Sequence, residues 1–149
     1  MKKLLTIIIA AVAVTTAAAQ QFVIGSKMPE LRSVKWLSKS PENGQPSYIE
    51  FYQSTNKSSV EAFPKLSEIK SARSNINIVV LVRETGEEID KMVKNFGADY
   101  AIGYDADGKT HDAFGVKFVP FGVLVDSRNT LQWQGNLSQF STDQLKNVK

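Results

Sequence analysis

The sequence predicts an α/β domain built on a mixed sheet, and three observations carry that expectation. Two near-continuous apolar runs, Ile76–Val82 and Phe121–Asp126, have the length and β-branched content of central strands covered on both faces. Segments with helical apolar spacing lie between the strand candidates, which is the alternation that builds a sheet with helical connections. The turn Ser127-Arg128-Asn129 leads from the last apolar run into Thr130–Gln134. The final two strands therefore form an antiparallel hairpin, and the hairpin makes the sheet mixed.

The elements follow in chain order. Met1-Lys2-Lys3 is a short positive segment, Leu4–Val14 is an apolar run interrupted only by Thr6, and Ala17-Ala18-Ala19 supplies small residues. This is the pattern of a secretory signal peptide over residues 1–19, followed by one domain over 20–149. The apolar run is shorter than the ~20 residues of a membrane-spanning helix. Acyl anchoring has no cysteine to use. The expected product is exported, periplasmic or secreted, with no membrane span once cleaved near Ala19. Cleavage there removes Lys2 and Lys3 and no acid. It leaves 16 basic against 15 acidic side chains, a balance that argues for no nucleic-acid partner.

Gln20–Leu31 reads as an irregular extended lead-in and Ser33–Leu37 as a short edge strand. Pro41, Asn43, Gly44 and Pro46 mark a loop. Ser47–Tyr52 is aromatic and β-branched, and reads as a strand. Ser54-Thr55-Asn56 offers helix caps for Lys57–Ser74, whose stripe includes Val60, Phe63, Leu66 and Ile69. Pro64 falls inside that stripe, so a kink or break is expected there. After the strand Ile76–Val82 come a helix over Gly86–Phe96 closed by Gly97, a strand over Tyr100–Tyr104 and a turn at Asp105–Gly108. A short helix over Lys109–Phe114 follows. A last helix is expected over Thr142–Val148, with Ser141 as its cap.

Composition excludes several chemistries outright. The chain has no cysteine, which removes disulfides, thiolate metal sites and thiol catalysis. It has one histidine, so no site needing two imidazoles can form. Asp105-Ala106-Asp107-Gly108 begins like a calcium loop, but the twelfth position is Val116 where that loop needs glutamate. No metal and no cofactor are expected.

Several segments carry a family resemblance. Val23–Leu31 resembles the G-x-x-x-P lead-in of exported thioredoxin-like and peroxiredoxin-like proteins. Glu50–Thr55 resembles the strand and turn that deliver the thioredoxin active site, and Phe63-Pro64-Lys65-Leu66 the proline-kinked helix after it. Tyr104–Lys109, Phe114-Gly115-Val116, Val119-Pro120 and Val123–Asp126 resemble the second half of that fold. The resemblance is to the TlpA-like, redoxin branch of the thioredoxin superfamily. It implies a thioredoxin fold, a central mixed sheet flanked by helices, with a cis-proline at Pro120.

One departure separates the chain from that family. Counting back from Pro64 places the family's C-x-x-C pair at Asn56 and Ser59, and the motif reads Asn56-Lys57-Ser58-Ser59. Disulfide exchange requires a thiolate and a mixed-disulfide intermediate, and neither a carboxamide nor a hydroxyl can form one. Peroxidase chemistry through a sulfenate fails for the same reason. Glu50 holds the position where the resemblance implies a buried acid beneath the active site. With no thiol to serve, it is expected to reach solvent at the strand end or to pair with a lysine.

The remaining polar candidates have plain structural alternatives. Asn56, Ser58 and Ser59, with Lys57, could gather an anion at the helix start, but ordinary capping by Asn56 is the commoner role for such residues. His111 is expected at the surface, since a Ser–His–acid arrangement would need Ser58 or Ser59 to reach it across the fold. Trp36 and Trp133 are expected to pack at the core or the sheet edge. Val119 and Pro120, flanked by Phe118 and Phe121, are the candidate recognition segment, because relatives hold extended peptides there. The two rings are otherwise core. The leading expectation is a non-catalytic binding module for an exported peptide or protein, acting through Phe118, Val119, Pro120, Phe121, Asn56 and Ser59. The competing expectation is the thiol oxidoreductase or antioxidant role that resemblance alone implies. A third is an assembly subunit of an envelope complex.

Overall fold

The computed structural model describes residues 22–149. The expected signal peptide over residues 1–19 lies outside the described residues. Six strands form one mixed sheet: β1 (Lys35–Trp36), β2 (Ser47–Phe51), β3 (Asn77–Val82), β4 (Tyr100–Tyr104), β5 (Phe121–Val125) and β6 (Leu131–Gly135). Their spatial order is β1-β4-β3-β2-β5-β6. β2, β3 and β4 are parallel, while β1, β5 and β6 join antiparallel. All six residues of β3 are buried, as its unbroken apolar run requires of a strand with neighbours on both edges and cover on both faces.

Side-chain alternation divides the core between the two faces of the sheet. Tyr48, Ile78, Val80, Val82, Ile102 and Leu124 pack on one face, with Leu66, Ile69, Ile89 and Met92 from the helices. Ile49, Phe51, Val79, Leu81, Val123 and Val125 pack on the other, with Met28 and Phe114. The helices are α1 (Lys57–Ala62), α2 (Lys65–Ala72), α3 (Glu87–Phe96) and α4 (Lys109–Ala113). The expected helix over Lys57–Ser74 is thus two helices, parted at Phe63-Pro64. A proline there can donate no N–H to the turn before it.

Two expectations fail in this part of the chain. Val60, expected on the apolar stripe, is exposed, and Ser59 and Ala62 are the buried residues of α1. The terminal segment is a 3₁₀ turn over Thr142–Leu145 rather than a helix to Val148, though Ser141 does cap it, its Oγ accepting from Asp143 N–H. A second 3₁₀ turn, Leu137–Gln139, is capped by Asn136 and has no counterpart in the sequence reading. Trp36 and Trp133 are part-buried against the two faces, as expected. Among the described residues, no helix is long and apolar enough to cross a membrane.

Candidate functional site at the carboxyl end of the sheet

The strand register brings the two halves of the sequence-predicted site to one end of the sheet. Phe51 pairs with Phe121, so Pro120 lies beside the point where the chain leaves β2. From there Gln53–Asn56 closes a turn, with Asn56 N–H donating to Gln53 O at 3.1 Å, and α1 begins. The Val119–Pro120 peptide is cis. Phe118 is 84% exposed, the most exposed large apolar side chain among the described residues, and is not core. Phe121 and Val119 are part-buried and lean on the second core face.

The start of α1 is a capped helix end. Asn56 Oδ1 accepts from Ser59 N–H at 2.8 Å, which is the ordinary capping geometry. Lys57 and Ser58 are exposed, and Lys57 lies 3.6 Å from Glu61. Ser59 is enclosed, and its Oγ has no hydrogen-bond partner. That corrects its place among the surface-binding candidates, because a side chain held beneath the helix cannot touch a partner.

Glu50 also departs from expectation. It neither reaches solvent nor pairs with a lysine: it is 1% exposed, and Oε1 has no partner. Alternation along β2 turns it to the same face as Tyr48, whose hydroxyl is also buried and unpartnered. Gly122, opposite Glu50 on β5, makes the room. A methyl group there would fall 2.1 Å from Tyr48 Oη and 2.9 Å from Glu50 Oε1. Burial pushes the Glu50 carboxyl well above the usual carboxylate range. Burial, reinforced by the charge of Glu50, pushes the Tyr48 phenol up as well.

The largest correction concerns His111. It is buried, not at the surface, and its Nδ1 lies 2.7 Å from Asp105 Oδ2. Asp105 is fully enclosed. It also accepts the backbone N–H groups of Thr110 at 3.2 Å and His111 at 2.8 Å, so one carboxylate caps α4 and orients the imidazole. Burial alone raises the Asp105 carboxyl, but these three donors outweigh it and hold the group below its ordinary value. Burial pushes the His111 imidazole down, opposed by Asp105 and helped by the charge of Arg83. An ionised carboxylate only accepts, so Nδ1 carries the ring proton and Nε2 is the free, basic nitrogen. Phe51 meets the ring edge-on, with centroids 4.9 Å apart.

His111 lines an open cleft of about 450 Å³ together with Gln53, Arg83, Lys117, Phe118 and Val119. The sequence reading did not include Arg83, Lys117 or the Asp105–His111 pair. The one signal available for the pair was an acid just ahead of Gly108 and a helix start.

Comparison with known proteins bears on the fold. No family model matches the chain, and no curated protein matches it. Solved structures do. A secreted Mycobacterium tuberculosis disulfide oxidoreductase homologous to Escherichia coli DsbE is 21% identical, with a TM-score of 0.56 over 69% of this chain and 78% of that one. StoA from Bacillus subtilis is 13% identical, with a TM-score of 0.57 over 71% and 86% of the two chains. A thioredoxin-like superfamily protein is 19% identical, with a TM-score of 0.61 over 76% and 86%. The fold is therefore thioredoxin-like, an α/β fold with a mixed sheet flanked by helices, as the sequence predicted. The chain itself carries no cysteine.

Proposed function

We propose that the protein is an exported thioredoxin-like domain without redox chemistry that binds an extended peptide or protein segment at the carboxyl end of its sheet. The observation that carries this reading is Phe118. A phenylalanine 84% exposed beside Val119-Pro120, at the rim of a cleft, is an apolar side chain held in water with no structural task. An exposed aromatic ring that meets an apolar pocket of a partner buries area on binding and not on folding, so its removal weakens binding more than stability. Exposed Lys57 and Ser58 border the same end of the sheet. Export rests on the leader pattern over residues 1–19 and on the resemblance to exported proteins.

The test is binding of an unstructured peptide panel to the purified domain. Phe118→Ala is expected to weaken binding at least tenfold while leaving thermal unfolding unchanged. Panel binding that ignores Phe118, or no binding at all, overturns the proposal.

The oxidoreductase reading draws on the disulfide oxidoreductases among the structural neighbours, and it meets a chain with no sulfur nucleophile. Insulin-reduction and peroxide-consumption assays are expected to show no turnover. The double variant Asn56→Cys, Ser59→Cys is expected to gain measurable disulfide exchange. A folded double variant that stays inert would mean that these two positions do not correspond to the family's cysteine pair.

A further inference from the structure

The cleft beside Phe118 has features that a merely apolar docking surface would not need. The Arg83 guanidinium lies across the bare glycine at the start of α4: a Cβ at Gly108 would fall 2.6 Å from its Cζ and 2.7 Å from Nη2. Gly108 has φ +71°, a conformation that suits glycine, which keeps that approach open. Neither Arg83 nor Lys117 forms an ion pair among the described residues. Two acids share the cleft. Glu84 is engaged, its Oε1 accepting from Ser54 N–H at 2.9 Å, and Asp112 is exposed on α4. His111 lines the cleft, and its Nε2 has no hydrogen-bond partner among the described residues, on a ring that Asp105 and Phe51 hold in one orientation. A cavity of about 450 Å³ falls in the range of small-ligand sites.

We propose that this cleft captures the C-terminal residue of a peptide: Arg83 and Lys117 receive its α-carboxylate, His111 Nε2 accepts its amide N–H, and Phe118 and Val119 cover an apolar side chain. The assignment follows from chemistry. A planar guanidinium is suited to a carboxylate, which it binds through two parallel hydrogen bonds. A neutral imidazole nitrogen needs a donor, which a carboxylate does not offer. The last residue of a peptide places an acceptor, a donor and a side chain on adjacent atoms, and an internal acidic side chain holds its carboxylate away from its own N–H. The inference rests on the peptide-binding reading above and names the part of the peptide that is read.

The experiment uses N-acetyl-Ala-Ala-Leu as the free acid, the same tripeptide as its C-terminal amide, and free leucine, each titrated into the domain. The free acid is expected to bind at least tenfold more tightly than the amide. Arg83→Gln is expected to remove that preference, with unfolding behaviour unchanged because Arg83 is exposed. His111 is the chain's single histidine, so its Nε2 gives one unambiguous ¹⁵N resonance, expected to shift with the free acid. Equal binding of acid and amide overturns the C-terminal assignment and leaves peptide binding standing. No binding by either tripeptide overturns the assignment, and the Phe118 panel then decides the broader reading separately. Free leucine binding as tightly as the tripeptide would reassign the cleft to an amino acid and overturn the peptide assignment.

Discussion

Asp105→Ala is expected to destabilise the domain by about 3 kcal/mol or more, the largest single-residue effect at this end of the molecule. The carboxylate is fully buried and accepts three hydrogen bonds, from Thr110 N–H, His111 N–H and His111 Nδ1–H. Truncation leaves all three donors without a partner in a site closed to water, and each orphaned donor costs about 1–3 kcal/mol. Asp105→Asn keeps the shape but turns one oxygen into a donor facing donors, so it recovers only part of the loss. Urea unfolding of the three proteins measures this directly. The acid dependence of the parent has a defined sign. The Asp105 carboxyl is held below its ordinary value. Its contribution is therefore present above the unfolded value of about 3.9 and is lost as pH falls through the lower folded value. His111 is also pushed down. The unfolded chain therefore takes up its proton first, and stability begins to fall as pH drops through about 6.5. An alanine variant within 1 kcal/mol of the parent would mean that Asp105 is not holding α4 in place.

Glu50→Gln is expected to stabilise the domain at alkaline pH by about 1–3 kcal/mol and to change little near pH 4. The folded carboxyl is pushed well above its usual range by burial. Below the unfolded value of about 4.3 both states hold the proton and nothing is lost. As pH rises, the unfolded chain releases its proton while the folded chain resists, so stability declines until the folded group also ionises. An amide does not titrate, so the difference between variant and parent should grow with pH. Unfolding free energies at pH 4 and pH 8 check it. An equal effect at both values would show that the carboxylate has found a partner or water.

Most of the architecture was legible in the residues. Tyr100–Tyr104 was bounded correctly, and Ser47–Tyr52 and Ile76–Val82 to within one residue, because buried strands carry their burial as continuous apolar sequence. Pro64 announced the helix break by its missing N–H. The site was less legible, because its chemistry depends on residues that meet only in three dimensions. Glu50 is enclosed because Gly122 sits across from it on another strand, and nothing near Glu50 in sequence says so. His111 is buried because α4 folds back on Asp105 and Phe51. A lone histidine between Thr110 and Asp112 carries no trace of that packing. Phe118 looked like half of an apolar pair, yet Phe121 alone turned inward with β5.

The lead-in before β1 has a consequence for the molecule's solubility. Gly25 N–H bonds to Leu131 O and Leu131 N–H to Ser26 O, while Lys27 bridges to Thr130, so this segment shields part of the outer border of β6. At the opposite border β1 is only two residues long. Sheets with long bare borders recruit further strands and grow into aggregates. Truncation beyond Met28 would strip one guard away and leave a template for such growth, so a variant starting there is expected to self-associate more readily than the parent.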